Sequence, residues 1–136
     1  MAIHLDIVTP SGAAYQGEVE GIVLPGSEGD FGVLPDHERF LCPLRIGEVQ
    51  IQTSGQMVYA AIAEGFADVS AERVAVLVES CELSSGIDTA RAQAALERAT
   101  RELEALDASG DEAFRVAEFE AAVGRAKNRL EVSQRG

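Results

Sequence analysis

Hydrophobic and polar residues alternate along the first part of the chain, and the spacing changes to three or four residues in the last third. Residues 3–8 show the alternation clearly, with Ile3, Leu5 and Ile7 on one side of the segment. A period of two is typical of a strand with one buried face. Similar short runs separated by turns continue to residue 83. Together they predict an all-β sandwich or barrel of about ten short strands.

The most constrained stretch covers residues 22–37, where two apolar segments flank the sequence Gly-Ser-Glu-Gly-Asp. We expect two short strands joined by a tight turn, with Pro25 and Pro35 at strand ends or edges because proline donates no backbone N–H. A glycine-rich turn can also cradle phosphate, but the lysine and hydroxyl residue of a P-loop are missing. Residues 37–44 are expected to be irregular because Pro43 limits regular structure there.

From Asp88 onward the apolar spacing is that of an amphipathic helix. The residues that share this helical face are Ala92, Ala95, Leu96, Ala99, Leu103 and Leu106. Gly110 suits the C-terminal cap of this helix, and Asp111 suits the N-terminal cap of a second helix over residues 112–132. Because the connection between the two helices is short, the sequence predicts an antiparallel hairpin.

The predicted fold class is therefore α+β, with a β-sandwich over residues 1–83 and a helical hairpin over residues 84–136. Both helices are rich in alanine, so they can approach closely but bury little apolar area each. Buried apolar surface contributes roughly 25 cal/mol per Å². We therefore expect the hairpin to be held weakly and to be able to leave the sandwich.

Charge and composition exclude several classes of function. The chain carries a net charge of −12 at pH 7. We expect no nucleic-acid partner, because phosphate contacts need clustered Lys and Arg. No apolar stretch approaches the length of a membrane span and no signal-peptide pattern is present, so we expect no direct membrane insertion and any membrane association to run through partners. Cys42 and Cys81 lack metal-type spacing and are expected to be reduced, buried small hydrophobes.

The end of the second helix is locally basic, with Arg125, Lys127 and Arg129 close together in the sequence. Such a run is ordinarily a solvated helix face. The sharper interpretation is a docking face for an acidic partner. The sequence shows no cluster of metal ligands, no nucleophile elbow and no other set of catalytic residues. We therefore predict neither a metal site nor an enzyme activity.

Three segments of the chain resemble, in order, the epsilon subunit of bacterial F-type ATP synthase. They are residues 4–10 (HLDIVTP), residues 23–37 (VLPGSEGDFGVLPDH) and residues 87–92 (IDTARA). The resemblance covers essentially the whole chain, and the motif of the central hairpin is specific. The sequence departs from the family pattern at Asp36, which replaces a common glycine, and in the residues that follow.

The resemblance implies a sandwich at the foot of the rotating central stalk, where it contacts the gamma subunit and the membrane c-ring. The residues implied in this contact are Ser27, Glu28, Gly29, Asp30, Phe31 and His37. The resemblance also implies a hairpin that extends toward the alpha/beta catalytic head and blocks ATP hydrolysis. Such a subunit is a non-catalytic, peripheral part of the complex at the cytoplasmic face of the cell membrane.

Some bacterial members of the family bind ATP in the folded hairpin, and the residues of that motif have counterparts here. They are Ile87, Asp88, Arg91 and Ala92, supported by Glu82, Arg98 and Arg125. Arg91 and Arg98 are two helical turns apart and share a face; with Arg125 opposite they can hold a polyphosphate through charge-assisted bonds. Glu82 and Asp88 can accept hydrogen bonds from an adenine amino group. ATP is thus the one regulatory ligand implied, and no cofactor is obligatory.

Simpler interpretations exist for two of these residues. Asp88 stands where an N-cap is needed, and an acid suits the positive end of a helix. Arg91 can pair with an acid one turn away. The capping and nucleotide roles of Asp88 are compatible. A second class of function also stays open, namely a stand-alone ATP-sensing module whose hairpin closes on nucleotide.

Overall fold

The computed structural model describes residues 2–35, 38–107 and 113–135. Within these ranges the strands are β1 (Ile3–Thr9), β2 (Gly12–Val19), β3 (Gly21–Gly26), β4 (Gly29–Val33), β5 (Phe40–Leu44), β6 (Gly47–Thr53), β7 (Gln56–Ile62), β8 (Gly65–Val69), β9 (Arg73–Val78) and β10 (Cys81–Leu83). A 3₁₀ turn (Ser84–Gly86) leads into α1 (Thr89–Asp107) and α2 (Ala113–Ser133). The predicted α+β class, a β-sandwich followed by a helical hairpin, is confirmed.

The strands divide into two layers that join where β3 meets β5 and again where the end of β2 reaches β6. The first layer has the order β4-β3-β6-β7-β10, and the second has the order β5-β8-β9-β1-β2. Between β3 and β5 the only register pair in the described part of the chain is Gly26 with Leu44, so the sheet turns from one layer into the other there. Neighbouring strands are antiparallel, except that β1 and β9 run parallel.

The core lies between the two layers and consists of aliphatic side chains. Ile3, Leu5 and Ile7 are fully buried, as their alternation predicts. In the parallel register Leu5 pairs with Val74 and Ile7 with Val76, and both valines are also fully buried. Burial of such side chains is the main favourable term in folding, so these strands form the stable centre of the sandwich.

The expectation of irregular structure over residues 37–44 is wrong for the last part of that range, which forms β5. Pro43 lies inside this strand, and its carbonyl oxygen accepts a hydrogen bond of 3.0 Å from the backbone N–H of Ser27. The N–H and C=O of one residue point to the same side of an antiparallel strand. The N–H that Pro43 lacks would therefore point toward β3. Because β5 forms almost no backbone hydrogen bonds with β3, proline is tolerated at this position. Asp36 and His37 lie outside the described residues.

The helices pack against each other through small residues, and α2 rests on the first layer. Ala92 and Ala99 of α1 and Ala126 of α2 are buried. Val132, near the end of α2, is 1% exposed. Neither helix, over its described length, is long and apolar enough to cross a membrane. The predicted caps at residues 110 and 111, Gly110 and Asp111, fall in the part of the hairpin that the structure does not describe.

Candidate functional site: a cleft at the root of the hairpin

A cleft of about 470 Å³ lies where the chain leaves the sandwich and enters the hairpin. Its walls come from β10, the 3₁₀ turn, α1 and α2. The residues that line it are Glu82, Gly86, Asp88, Arg91, Ala92, Ala95, Arg98 and Arg129. The volume is within the range of about 300–1,000 Å³ that small-molecule sites occupy. Most residues of the predicted nucleotide motif are thus brought together in one cavity.

Asp88 ends the extended connection and begins α1. Its Oδ1 accepts a hydrogen bond of 3.0 Å from the backbone N–H of Arg91, and its carbonyl accepts one from the N–H of Ala92, also at 3.0 Å. This geometry confirms Asp88 as the N-cap. Its Oδ2 has no hydrogen-bond partner among the described residues. Ile87 closes the preceding 3₁₀ turn through its N–H to the carbonyl of Ser84, at 3.5 Å, and it does not line the cleft.

Two guanidinium groups enter the cleft from α1. Arg91 and Arg98 are both exposed and both line the cavity, as their spacing predicts. Within the described ranges neither side chain forms an ion pair, so the pairing of Arg91 with a nearby acid is not found. Ala92, between them, is 2% exposed and leaves room above the helix. The α1 wall is therefore a basic surface on a small-residue floor, suited to an anion.

The guanidinium that faces them from α2 belongs to Arg129. Its Nε lies 3.8 Å from Oε1 of Glu82, and its side chain is 24% exposed. Arg125 lies one turn earlier on α2 and does not line the cleft. Residues four apart share a helix face, and this spacing is the signal in the sequence that points from Arg125 to Arg129. Sequence reasoning placed Arg129 on the docking face alone and missed its place in the cleft.

The docked hairpin separates the residues of the predicted basic docking face. Lys127 lines a groove of about 790 Å³ on the other side of α2, against β6, whereas Arg129 lines the cleft. A helix turns about 100° per residue, so Lys127 points away from both Arg125 and Arg129. In this state the three cations present no common surface.

A cysteine lies next to the cleft on β10. Burial, and after it the charge of Glu82, raises the pKa of the Cys81 thiol from 9.0 to about 11. Cys81 and Cys42 are both free and half-buried, close to the prediction of reduced, buried thiols. The Cys81 thiol is therefore protonated at neutral pH and is a poor nucleophile.

The turn between β3 and β4 forms a second candidate surface. Residues 27–30 are exposed, and Gly29 has a φ of 135°, a conformation that glycine adopts without steric cost. Phe31 is half-buried, and its ring packs edge-on against Phe40 with centroids 5.6 Å apart. Residues 27–30, at the tip of the predicted contact loop, are thus available to a partner. Phe31 instead packs against Phe40 and helps to hold the loop in place. His37 lies outside the described residues.

An exposed apolar patch lies beside this turn, on the outer face of the second layer. Phe66 and Leu77 are register neighbours on β8 and β9, and their exposed fractions are 52% and 51%. Leu41 on β5 is 69% exposed. Pro43 pairs with Phe66 and, through its bond to Ser27, connects the patch to the turn. Contiguous exposed apolar surface marks interaction sites. Sequence reasoning missed this patch because it followed the inward-facing positions.

The fold and the cleft define a protein in which a β-sandwich carries a C-terminal helical hairpin. Residues 2–84 match the family model described as the beta-sandwich domain of the ATP synthase delta/epsilon chain. Residues 85–134 match the model described as the long alpha-helix domain of the same chain. The chain belongs to the ATP synthase delta/epsilon family, as the sequence resemblance predicts.

Relatives and solved structures agree with this assignment. The chain is 40% identical to ATP synthase epsilon chain 2 of Syntrophotalea carbinolica, over 98% of this chain and 95% of that one. It is 41% identical to the ATP synthase epsilon chain of Geobacter sulfurreducens, over 96% and 93%. A chain of the Euglena gracilis mitochondrial ATP synthase, in an OSCP/F1/c-ring structure, superposes with a TM-score of 0.79 at 26% identity, over 98% and 81%. A Tetrahymena thermophila central stalk/c-ring structure shares the fold, with a TM-score of 0.54 at 12% identity over 99% and 96%.

Proposed function

We propose that this chain is the non-catalytic epsilon subunit of a proton-translocating F-type ATP synthase, where it couples rotation of the central stalk to ATP synthesis. Residues 1–83 bind the stalk, and residues 84–136 regulate hydrolysis. The hairpin binds ATP when docked and inhibits ATP hydrolysis when it extends to the alpha/beta head. The subunit is peripheral, at the cytoplasmic face of the cell membrane. Family membership and the names of the relatives support the stalk role.

The observation that carries the regulatory part is the set of cations in the cleft. Arg91 and Arg98 come from α1, Arg129 comes from α2, and Glu82 comes from β10. Guanidinium groups bind phosphate oxygens through paired, charge-assisted hydrogen bonds. The free oxygen of Asp88 and the carboxylate of Glu82 can accept from an adenine amino group. A nucleotide would therefore contact both helices and the last strand at once, and it would favour the docked hairpin.

We assign different partners to the two layers of the sandwich. The gamma subunit and the c-ring are the partners that we assign to the outer face of the second layer and to the adjoining turn, residues 27–30. The exposed side chains of Leu41, Phe66 and Leu77 support this assignment. The hairpin covers the first layer instead. Release of the hairpin therefore leaves the apolar patch on the second layer in place for the stalk, while Asp30 of the turn borders the groove beside α2.

ATP hydrolysis by the purified catalytic head and stalk tests the proposal. The protein is added at full length or truncated after Leu83. We expect the full-length chain to suppress hydrolysis and the truncated chain to bind the stalk without suppressing it. Equal rates with both forms would remove the inhibitory role and leave a coupling subunit.

A stand-alone ATP-sensing module is the second candidate, because one chain supplies every wall of the cleft. Calorimetry on the isolated chain tests nucleotide binding, with Arg91→Ala as the control. Binding that needs Arg91, by a chain that does not join the stalk, would favour the module. Equal heats from both chains would remove nucleotide sensing from either proposal.

A further inference from the structure

The end of α2 and the turn that follows it contact the sandwich at a place separate from the nucleotide cleft. Arg135 donates from Nε and Nη2 to the two carboxylate oxygens of Glu48 on β6, at 2.9 and 3.1 Å. Its guanidinium carbon lies 5.0 Å from the ring centroid of Tyr59 on β7. The Glu48 side chain is 18% exposed and also accepts from Nε2 of Gln50 at 3.3 Å. One cation thus satisfies a largely buried carboxylate and stacks on an aromatic ring.

A second contact lies seven residues earlier, within α2. Nδ2 of Asn128 donates to the carbonyl of Gly47 at 2.8 Å and lies 3.5 Å from the carbonyl of Ile62. These carbonyls belong to β6 and β7, opposite each other in the register. A Cβ at position 47 would come within 2.6 Å of Pro25, so only glycine fits there without a shift.

We propose that Asn128 and Arg135, seated on Gly47, Glu48 and Tyr59, form a C-terminal latch that keeps the hairpin docked without nucleotide. None of these residues lines the nucleotide cleft. ATP and the latch therefore stabilise the same docked state from two different sides of α2. Extension of the hairpin requires the latch to open even when the cleft is empty, which goes beyond the role proposed above for ATP.

The latch is ionic and open to solvent on one side. The groove of about 790 Å³ between β6 and α2 is lined by Arg135, Glu48 and Asn128, and by the further charges of Lys127 and Glu131. Contact with Glu48, first through its hydrogen bonds and then through its charge, raises the pKa of Arg135, so the cation persists at any pH near neutral. Salt screens solvent-accessible pairs, so the latch should weaken as ionic strength rises.

Hydrogen–deuterium exchange of the full-length chain, without nucleotide, tests the latch. The amides of α1 are the readout, because the contacts of the latch do not involve that helix. Once the hairpin leaves the sandwich, its helices keep less tertiary packing, unfold more often and exchange faster. Arg135→Gln should raise their exchange rate about threefold, as expected for loss of one ion pair. Asn128→Ala should raise it about tenfold, because it leaves buried carbonyls without a donor.

Arg45→Gln is the matched control. Arg45 lines the same groove but pairs with Asp30, which also belongs to the surface of the sandwich, so its loss should leave α1 exchange unchanged. Raising the salt concentration should speed exchange more in the wild-type chain than in Arg135→Gln, which keeps, among the described residues, only the Arg129–Glu82 pair between the hairpin and the sandwich. A response of Arg45→Gln as large as that of Arg135→Gln would overturn the proposal, as would equal salt effects in both chains.

A double-mutant cycle isolates the ion pair. If Arg135 and Glu48 act on each other, adding Glu48→Gln to Arg135→Gln should change exchange little beyond either single change. The chain holds two tyrosines, so fluorotyrosine labelling gives two ¹⁹F signals, one of which reports the ring under Arg135. That signal should move with Arg135→Gln and not with Arg45→Gln. Additive exchange effects, or an unmoved Tyr59 signal, would contradict the latch.

Added ATP distinguishes this inference from the proposed function. Slower exchange with ATP in every variant, together with faster exchange in Arg135→Gln, supports both proposals. If ATP changes nothing while Arg135→Gln and Asn128→Ala still open the hairpin, the latch stands and nucleotide binding fails. If ATP slows exchange but neither latch variant has an effect, the latch is wrong and the cleft stands.

Discussion

Asp88 combines a structural task and a chemical one in a single carboxylate. Oδ1 caps α1, and Oδ2 has no partner among the described residues. The capping role follows directly from the sequence, because an acid before an alanine-rich helical run is a standard start signal. The unpaired Oδ2 cannot be predicted in the same way, because its position depends on the rotamer that Asp88 adopts when Oδ1 caps the helix. Substitutions can separate the two tasks.

We predict that Asp88→Asn keeps the cap and loses the charge, whereas Asp88→Ala loses both. Asparagine caps about as well as aspartate, so only the alanine variant should lose about 1 kcal/mol of stability. Both variants should bind ATP more weakly if the carboxylate accepts from the adenine. Thermal unfolding and calorimetry measure the two effects. Full ATP affinity in Asp88→Asn would restrict Asp88 to capping.

Cys81 gives a prediction that depends on pH. Its folded pKa of about 11 lies above the ordinary value of 9.0 because burial, and then Glu82, disfavours the thiolate. At pH 8 alkylation should be about 100-fold slower than in the unfolded chain, since only the thiolate reacts. The stability that the protonated thiol contributes is fully present below pH 9 and is lost as the pH rises toward 11.

Iodoacetamide labelling of a Cys42→Ser chain, folded and in urea, measures the Cys81 rates. Glu82→Gln should speed labelling modestly, because it removes the smaller of the two causes of the raised pKa. Equal rates in the folded and unfolded chains would show that Cys81 is not shielded.

At the scale of elements, the sequence predicts the helices well but not the alignment between them. The spacing from Ala92 to Ala99 identifies the buried face of α1, and both residues are buried. Which turn of α2 lies opposite Arg91 depends on the connection over residues 108–112 and on side-chain packing, and no local pattern reports either. That is why the family resemblance implied Arg125 where the structure places Arg129.

Arg129 and Arg125 therefore form a matched pair for a binding test. Arg129→Gln should weaken ATP binding at least tenfold, because it removes a charge-assisted contact from the cleft. Arg125→Gln removes the same group one turn away and should change the affinity less than twofold, since Arg125 does not line the cleft. Calorimetry on the isolated chain measures both affinities. A larger loss in Arg125→Gln would restore the sequence-based assignment.

At the scale of the whole molecule, the two layers differ in what they expose. Alternation predicts which side chains enter the core, and Val74 and Val76 follow it. It does not predict that apolar residues on the outward side of β8 and β9 would be neighbours, because that depends on long-range register. The same limit applies to β5, whose partners lie far away in the sequence.

We predict that Phe66→Ser weakens binding to a purified gamma subunit about tenfold or more while the chain stays folded. Phe66 is 52% exposed, so its replacement removes contact surface without opening a core cavity. Leu34→Ser is the control, because Leu34 is 66% exposed and follows β4 in the first layer. Pull-down and circular dichroism measure binding and folding. Equal losses in both variants would place the stalk contact elsewhere.

The parallel pairing of β1 with β9 has a consequence for the order in which the newborn protein matures. His4 is opposite Arg73 in this pair, so the first strand finds its neighbour only after most of the sandwich has been synthesised. Distant pairings delay folding, because the chain must close a long loop first. The hairpin follows the sandwich in the chain and therefore leaves the ribosome after it. When the hairpin emerges, all strands of the sandwich have already been synthesised and can pair. Before β9 pairs with β1, the sandwich is incomplete and offers no folded surface on which the hairpin can dock.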